Sequence, residues 1–271
     1  MRKSKVLAKL RGKGFVRICS MGHVIPYYIR HAAAHNYDGI WLDLEHRCMS
    51  NQEVRYLLAL CYYNDIDCIV RPPTRERTRL YRYLEDGATG LMLPFVSTVE
   101  DATHAVNSVK FPPEGNRGID GSGLDADYGF DLWRQDSTFT TDANQQTFII
   151  AQIETPEAVA KVDQIAAVAG LDCLFVGPGD LGLRLSVSGA PGRTSLAEAV
   201  QHVSNAARRY KKAWGIAVGS KEDFERYCAM GAQMVPWGSD FWLSKALREG
   251  SQEIDVMLKK RHPMSPTEAE D

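Results

Sequence analysis

The chain alternates short apolar runs with longer segments in which apolar residues recur every three or four positions. Short aliphatic or β-branched runs are typical of parallel strands, and longer amphipathic segments are typical of the helices that cross between them. Eight strands are predicted, at residues 15–20, 40–44, 68–72, 90–94, 148–154, 173–177, 213–219 and 233–238. Eight helices are predicted, at residues 26–35, 51–63, 75–86, 98–109, 156–168, 195–211, 221–230 and 239–258.

Several of the predicted helices carry start signals. Ser50 or Asn51 precedes one helix, Thr98 precedes another with Asp101 three residues later, and the pair Thr155–Pro156 opens a third. Eight β/α units predict a single α/β domain, a TIM (β/α)8 barrel that spans residues 1–258. In such barrels the loops after the carboxyl ends of the strands carry the chemistry, so strand-end residues are the candidates for a site.

Two segments do not follow the repeat. Residues 112–147 are rich in Gly, Asp and Thr, and a connection of this length is typical of a lid or a binding loop. Residues 259–271 form a polar tail that we expect to fray.

Composition narrows the class of partner. The 271 residues carry a net charge of −2 and a pI near 6.4, without the basic excess that nucleic acids or anionic membranes require, so a small-molecule partner is expected. No C-x-x-C pair occurs, and Cys19, Cys68 and Cys173 lie in apolar runs as small core residues. With no signal-like or membrane-length apolar run, we expect a cytoplasmic protein.

The stretch LFVGPGDLG, residues 174–182, has three glycines in the G-x-G-x-x-G spacing of dinucleotide-binding turns. Such a turn must open a helix whose free N–H groups hold the pyrophosphate. Gly189, Pro191 and Gly192 are predicted to break any helix here, and Asp180 would repel phosphate. The glycines are therefore interpreted as a tight turn that displays Asp180.

Two carboxylates end consecutive predicted strands. Glu154 follows the fifth strand and Asp180 follows the sixth, and neighbouring strands lie about 4.8 Å apart. Two carboxylates without Cys or His suit a hard cation such as Mg²⁺ or Mn²⁺. The structural alternative is that Glu154 caps the next helix and Asp180 closes an Asx turn.

Strands two and three end in further polar groups. Asp43 and Glu45 share one strand face, and His46 follows at the mouth, where it can act as a general base or can be an ordinary loop histidine. Arg71 is held between an apolar strand and two prolines, a rigid position that suits bidentate binding of a carboxylate or an enolate oxygen. An ion pair with Asp43 or Glu45 is the structural alternative.

Glu85 and Asp86 precede the fourth predicted strand. Their carboxylates are predicted either to orient His46 or to lie at the helix end that Gly87 terminates.

Taken together, these pieces resemble the class II pyruvate aldolases of the HpcH/HpaI family, which cleave 4-hydroxy-2-oxo acids. The matching stretches run in family order over nearly the whole predicted barrel. They are WLDLEH (41–46), IVRPP (69–73), GATGLMLPFV (87–96), KFPPEGNRG (110–118), QIETPEAV (152–159) and FVGPGDL (175–181).

The resemblance implies a divalent metal, Mg²⁺ or Mn²⁺ with Co²⁺ as a further candidate, on Glu154 and Asp180. It implies that pyruvate chelates this metal through its carboxylate and keto oxygens, with Arg71 beside the keto oxygen and His46 as acid/base. A metal and an arginine on one oxygen stabilise an enolate, which agrees with the absence of a lysine at any predicted inner strand end.

Further site roles are expected on the same basis. Asp43 is expected to assist Arg71 and His46 in catalysis, and the backbone of Gly177, Pro178 and Gly179 is expected to line the substrate.

Assembly is also implied by the resemblance. Family members are commonly hexamers that exchange their last helices, so residues 239–258 are expected to pack on a neighbouring subunit.

The sequence departs from the family pattern in two places. Glu85 stands where relatives usually place Asp in a DxGA turn, and its extra methylene is expected to change how His46 is oriented. The segment 118–133 has no Lys or Arg, whereas relatives often carry arginines there. Because an acidic lid repels a second carboxylate, we expect an uncharged aldehyde acceptor. The acidic residues of this segment are Asp120, Asp125, Asp127 and Asp131.

Two other functions fit the same residues. A citryl- or malyl-CoA lyase-like enzyme would use a similar metal pair but would need basic residues for the CoA nucleotide, which the acidic 112–147 loop does not offer. A metal-binding barrel without turnover is the other alternative, since fold does not fix function, but it would have no use for His46 or Arg71.

Overall fold

The computed structural model describes residues 1–187 and 194–261. Seven parallel strands form one sheet in chain order. They are β1 (Ile18–Met21), β2 (Gly39–Asp43), β3 (Asp67–Arg71), β4 (Gly90–Leu93), β5 (Phe148–Ile153), β6 (Cys173–Val176) and β7 (Ala213–Ile216).

Twelve α-helices lie in the described ranges, most of them between consecutive strands. They are α1 (Lys5–Arg11), α2 (Pro26–Ala34), α3 (Asn51–Tyr63), α4 (Arg77–Glu85), α5 (Val99–Val109), α6 (Phe139–Gln146), α7 (Pro156–Ala160), α8 (Val162–Ala166), α9 (Pro178–Val187), α10 (Leu196–Arg209), α11 (Lys221–Ala229) and α12 (Trp242–Arg261).

Both faces of the sheet are buried, which explains why its strands read as continuous apolar runs. One face packs against the surrounding helices, and the inner face forms a separate core around Phe148 and Phe175. Helix α1 was not among the predicted helices, and it adds Val6, Leu7 and Leu10 to this inner core. The inner core is therefore closed by a helix that precedes the first strand.

Seven of the eight predicted strands are present, and the eighth is not. Residues 233–239 form only isolated parallel bridges, from Met234 to both Val16 and Gly215 and from Ser239 to Ser20. Pro236 has no N–H to donate to a ladder, which is one reason why the segment does not extend into a strand. The observed architecture is a seven-stranded parallel α/β sheet whose two edges are bridged by this segment.

The predicted helix starts are confirmed. The Ser50 hydroxyl accepts the N–H of Glu53 in a capping box, and Thr98 does the same with Asp101. Thr155 caps α7 by accepting the N–H of Ala158. The single helix predicted at 156–168 is two short helices, α7 and α8.

The long insertion, residues 112–147, lies at the amino ends of the strands. It leaves the carboxyl end of α5 and enters the amino end of β5, and crossover helices run antiparallel to the strands they connect. Within it Arg117 and Asp125 form a buried ion pair at 2.6 Å, and Leu124 packs against the turn at Gly87. Within the single chain the insertion therefore braces the end of the sheet opposite to Glu154, and its role as a lid or a binding loop stays a prediction.

The core predictions for cysteine are confirmed, since Cys19, Cys68 and Cys173 are buried and all six cysteines are free thiols. In the described part of the chain, no helix is both long enough and apolar enough to cross a membrane. The predicted tail from residue 259 begins inside α12, and residues 262–271 lie outside the described residues.

Candidate active site

Arg71 and Asp43 are the last residues of β3 and β2, and they are direct partners in the sheet register. The guanidinium donates Nε to Asp43 Oδ1 at 2.9 Å and Nη2 to Oδ2 at 2.8 Å. Its plane lies over Trp41, 4.9 Å from the ring centroid, and Nη1 is 3.1 Å from Glu45 Oε2. Both ion pairs considered as structural alternatives are present, and together they fix the guanidinium at the carboxyl end of the sheet.

These contacts set the charge states of the two carboxyls. Burial raises the pKa of Asp43, but the hydrogen bonds and charge of Arg71 outweigh it and hold that pKa below its ordinary value. Burial raises the pKa of Glu45, opposed by Arg71 and His46 and assisted by Asp43 and Asp180. Asp43 is therefore the firm anionic partner of Arg71, and Glu45 is the more easily protonated one.

His46 lies at the rim of the same group. Its Nε2 is 3.7 Å from Glu45 Oε2, and 54% of its side chain is exposed. Glu45 Oε2 thus faces both Arg71 and His46. The imidazole is accessible to a substrate that approaches from solvent.

Glu154 is 1% exposed and directly follows β5. Its Oε1 accepts the N–H of Phe95 at 2.7 Å, and its Oε2 accepts the side-chain amide of Gln152 at 2.6 Å. Phe95 adopts a positive φ of 53°, an unusual conformation for a bulky residue, at the turn that presents this N–H. Because Thr155 caps the following helix, Glu154 is not the helix cap and remains available to the site.

The buried Glu154 carboxylate has no cationic partner in direct contact among the described residues. Burial raises its pKa to about 7; the Phe95 N–H opposes this rise, the charges of Glu45 and Asp180 add to it, and the charge of Arg71 opposes it. The charges of Glu45, Asp180 and Arg71 therefore all act on the Glu154 carboxyl.

Asp180 lies in the first turn of α9, which begins at Pro178. The expectation that no helix forms here is wrong: Pro at the first turn is compatible with a helix, and ten residues are helical before the segment where the breakers lie. The carboxylate is bound by Arg184, one turn later, at 2.5 Å, so it does not close an Asx turn. Arg184 in turn lies over the Phe95 ring at 4.9 Å, which connects the Asp180 and Glu154 sides of the site.

One glycine of the G-x-G-x-x-G motif, Gly177, lies against the Glu154 carboxylate. A Cβ at Gly177 would overlap Glu154 Oε2 and contact Gln152, whereas a Cβ at Gly179 would meet nothing within 4 Å. Gly177 is therefore required so that the Glu154 carboxylate can approach the start of α9.

The donor set fits a hard divalent cation. Among residues 1–187 and 194–261, no group of three His, Cys, Asp or Glu side chains is arranged around one point, so a cation here would rest on two carboxylates and take water or substrate oxygens for the rest. The neighbouring Gln152 Oε1 is buried without a hydrogen-bond partner in the described part of the chain, and the buried Glu154 carboxyl has no Lys or Arg side chain in direct contact there. Both observations are compatible with a cation beside Glu154.

Glu85 does not lie with His46, Arg71 and Glu154. It ends α4, and therefore lies at the amino ends of the strands, where burial raises its pKa and the nearby charges are those of Arg117 and Asp125. The expected orientation of His46 by Glu85 is not made within the chain, because the two residues lie at opposite ends of the sheet. Asp86 is the C-cap of α4 and accepts Arg55 at 3.0 Å, as the structural alternative predicted.

Four residues that contribute to this site were not predicted. Trp41 and Gln152 lie two residues before Asp43 and Glu154, so the two-residue period of a strand could have placed them on the same faces. Phe95 contributes a backbone N–H through a conformation that the sequence does not indicate. Arg184 reaches the site through α9, a helix that the sequence pattern did not predict.

The chain is similar in sequence and in fold to known proteins of one family. The sequence profile of the HpcH/HpaI aldolase/citrate lyase family matches residues 22–245. The chain is 35% identical over 192 residues to 5-keto-4-deoxy-D-glucarate aldolase from Shigella boydii, covering 71% of this chain and 72% of that protein. A crystal structure of an HpcH/HpaI aldolase/citrate lyase family protein from Burkholderia cenocepacia superimposes with a TM-score of 0.83 at 30% identity, covering 93% of this chain and 100% of the other.

A more distant structure shares the fold. It is CitE from Mycobacterium tuberculosis, described in complex with magnesium and acetate, with a TM-score of 0.53 at 18% identity over 84% of this chain and 86% of the other. With the profile match spanning most of its length, the chain belongs to the HpcH/HpaI aldolase/citrate lyase family and is a carbon–carbon lyase of the aldolase type.

Proposed function

We propose that the enzyme catalyses metal-dependent aldol cleavage and condensation of 4-hydroxy-2-oxo acids, with pyruvate and an aldehyde as the two fragments. The observation that carries this proposal is that Arg71, held by Asp43 at 2.8–2.9 Å, and the buried Glu154 carboxyl lie at the carboxyl end of the sheet, where the charges of Glu45, Asp180 and Arg71 act on Glu154. Carboxylates that can hold a cation, beside an oriented guanidinium, suit a 2-oxo acid, which offers a carboxylate and a keto oxygen. Similarity to a 5-keto-4-deoxy-D-glucarate aldolase supports the same reaction class.

Glu154 and Asp180 are the proposed cation ligands, with Mg²⁺ or Mn²⁺ preferred for their oxygen donors and Co²⁺ as a further candidate. A bound cation would supply Lewis acidity at the keto oxygen and so favour the enolate. Asp180 would have to exchange its bond with Arg184 for this role.

Arg71 is proposed to bind the keto oxygen. Asp43 holds the Nε and Nη2 edge of the guanidinium, which leaves Nη1, now facing Glu45, as the donor for substrate. A guanidinium oriented in advance stabilises the negative charge that develops on this oxygen without reorganising during the reaction.

His46 is proposed as the acid/base. In cleavage it takes the proton from the C4 hydroxyl; the C4–O bond becomes the aldehyde carbonyl, the C3–C4 bond breaks, and its electron pair forms the pyruvate enolate. Protonation of C3 then yields pyruvate, and condensation follows the same steps in reverse. Glu45, which faces both His46 and Arg71, is suited to balance the charge of the imidazolium.

The backbone of Gly177, Pro178 and Gly179 is proposed to line the pyruvate position. The open space beside Gly179 supports this placement, since a Cβ there would meet no atom within 4 Å.

We also propose that residues 233–239 complete a (β/α)8 barrel, with the bridges of Met234 to Val16 and Gly215 as support. Assembly into a homo-oligomer, a hexamer by family resemblance, is proposed through α12. Its large apolar side chains are exposed along its length, with Leu247 at 76% and Met257 at 57%, an amount of apolar surface that suits contact with a second copy.

The test is exchange of the pyruvate C3 protons with solvent, followed by NMR in D₂O with added Mn²⁺ or Mg²⁺. Exchange that depends on the cation and is lost in Glu154→Ala is the expected result. Asp136→Ala, at a carboxylate that is 89% exposed, is the matched control and should exchange normally. Cleavage of malyl-CoA without pyruvate exchange would contradict the proposal.

A further inference from the structure

A histidine and a buried aspartate that the proposed mechanism does not use form a pair at the carboxyl end of the sheet. His23 follows β1, and Asp240 follows the bridging segment 233–239. His23 Nδ1 lies 2.8 Å from Asp240 Oδ2, and the Asp240 side chain is 1% exposed. The same oxygen accepts the N–H of Gly22 at 2.9 Å. The carboxylate is therefore held by the backbone as well as by the imidazole.

The aspartate determines which nitrogen of His23 can act as a base. A carboxylate only accepts hydrogen bonds, so Nδ1 carries the proton and Nε2 of the neutral imidazole carries the lone pair. Nε2 has no hydrogen-bond partner in the described part of the chain, and the His23 side chain is 55% exposed. An exposed imidazole whose other nitrogen is held by a carboxylate has the arrangement of an acid/base group.

The charge of Asp240 is not balanced by a Lys or Arg side chain. Within residues 1–187 and 194–261 its ion-pair partner is His23 alone. A proton that reaches Nε2 therefore gives the buried carboxylate a cationic neighbour, which is the role of the carboxylate in catalytic histidine pairs.

The pair lies level with the proposed site. The register of β1 with β2 places Gly22 level with Asp43, and Asp43 is opposite Arg71 in β3. Two strand spacings, about 10 Å, separate the backbone at Gly22 from that at Arg71. A bound 2-oxo acid and one water molecule can bridge a gap of this size.

Two contacts link His23 to the loop that carries His46. The His23 ring lies edge-on to Phe241, with 5.2 Å between the ring centroids, and the Arg47 guanidinium lies 5.0 Å from the same phenyl centroid. Arg47 also donates Nη1 to the carbonyl of His46 at 2.7 Å, and its side chain packs on Gly22. The two histidines are therefore both neighbours of Arg47 at one end of the sheet.

We propose that His23, oriented by Asp240, is the proton relay that serves C3 of pyruvate through one water molecule. This inference rests on the proposed function, in which His46 serves the C4 hydroxyl and the C3 proton has no assigned carrier. In enolate formation a C3 proton passes to the water while the water passes a proton to Nε2. The C3–H electron pair becomes the C2–C3 double bond, and the carbonyl π pair moves to the keto oxygen. Protonation of C3 is the reverse, and the exposed imidazolium exchanges its proton with solvent.

Two isotope exchanges, both followed by NMR with added Mg²⁺, separate the roles of the two histidines. Exchange of the pyruvate C3 protons with D₂O requires proton transfer at C3 and no aldehyde. Exchange of ¹³C-labelled acetaldehyde into 4-hydroxy-2-oxopentanoate requires cleavage and re-formation of the C3–C4 bond, and no proton transfer at C3. A relay to C3 is therefore needed for the first exchange alone.

His23→Asn is the decisive variant, because the asparagine amide can keep a hydrogen bond to Asp240 but cannot carry a proton. We expect C3 exchange to fall about 10²-fold, the usual contribution of an acid/base group, while aldehyde exchange stays within about twofold of wild type. His46→Asn should show the opposite pattern. Asp240→Asn should also lower C3 exchange, since an amide does not balance the charge of the imidazolium.

His31→Asn is the matched control, at an exposed histidine of α2 whose ring lies edge-on to Tyr27 with 5.7 Å between the centroids. Both of its exchanges should equal those of wild-type enzyme. Undiminished C3 exchange in His23→Asn would overturn the inference, and so would an equal fall of both exchanges, which indicates a structural role. Absence of C3 exchange in wild-type enzyme would instead remove the proposed function, and the inference with it.

Discussion

Gly177 lies against the Glu154 carboxylate so closely that any side chain at position 177 would overlap Oε2 and press on the Gln152 amide. Gly177→Ala should therefore displace Glu154 from its bonds with Phe95 and Gln152. We expect Mn²⁺ affinity to fall at least tenfold and aldol activity to fall with it, as measured by isothermal titration calorimetry and by kcat/KM. Gly182→Ala, in the same helix but with only an ordinary 3.8 Å contact at its Cβ, should leave Mn²⁺ affinity intact.

The pKa of Glu154 gives a pH dependence for the metal-free protein. Its pKa of about 7 in the folded chain exceeds the ordinary value of 4.5, so folding favours the protonated carboxyl. The associated stability is fully present below about pH 4.5 and is lost as the pH rises through about 7, by on the order of 1–3 kcal/mol. Urea unfolding with EDTA, between about pH 5 and pH 8, should show this loss for wild type.

Glu154→Gln provides the comparison, since the amide cannot ionise. Its stability should change less than that of wild type over the same pH range, and it should gain no thermal stability from added Mn²⁺. Parallel pH profiles for the two proteins would contradict the assignment of the titration to Glu154.

The planar guanidinium of Arg71 is expected to be essential for activity. Arg71→Lys loses the paired bonds to Asp43 and the stacking on Trp41. We expect kcat/KM for pyruvate-forming cleavage to fall about 10²–10³-fold, the effect of removing an oriented donor from a developing oxyanion. Arg209→Lys, at an arginine of α10 that pairs with Asp163 of α8 at 2.5 Å, should retain activity.

The buried Arg117–Asp125 ion pair of the insertion is expected to stabilise the fold. Asp125→Ala leaves Arg117, whose side chain is 2% exposed, without its partner. An unpaired buried charge costs about 3–5 kcal/mol, which urea unfolding can measure. Asp136→Ala, at an exposed position of the same insertion, should change the unfolding free energy by less than about 0.5 kcal/mol.

Assembly through α12 can be tested at Leu247, whose side chain is 76% exposed in the single chain. Leu247→Asp should lower the mass measured by light scattering coupled to size-exclusion chromatography. Ser251→Asp, also on the exposed surface of α12, introduces the same charge without removing an apolar group. A monomeric wild-type protein would remove the proposal of a homo-oligomer.

The alternation of apolar runs was sufficient to predict seven strands and to bring together the ends of β2 and β3. Parallel strands in register place Asp43 opposite Arg71, so their bonds follow from the strand bounds alone. The start signals at Ser50, Thr98 and Thr155 were equally local, because a side-chain oxygen and an N–H three residues apart define them.

Features that depend on long-range packing were not predicted. Helix α9 begins with Pro-Gly-Asp, which looks like a turn, but a glycine costs a helix only about 1 kcal/mol and burial of Leu181 and Leu185 offsets it. The position of the insertion depends on contacts between residues far apart in sequence, such as Leu124 with Gly87. Its acidic composition gave no information about which end of the sheet it covers.

Because the insertion lies at the amino ends of the strands, the two ends of the sheet have different roles. Helix α1 and the Arg117–Asp125 pair brace the end remote from Glu154, while the loops at 44–50 and 72–76 border a cavity of about 690 Å³ that His46 lines. A directed-evolution library confined to these two loops would therefore explore new aldehydes while the scaffold keeps its thermal tolerance.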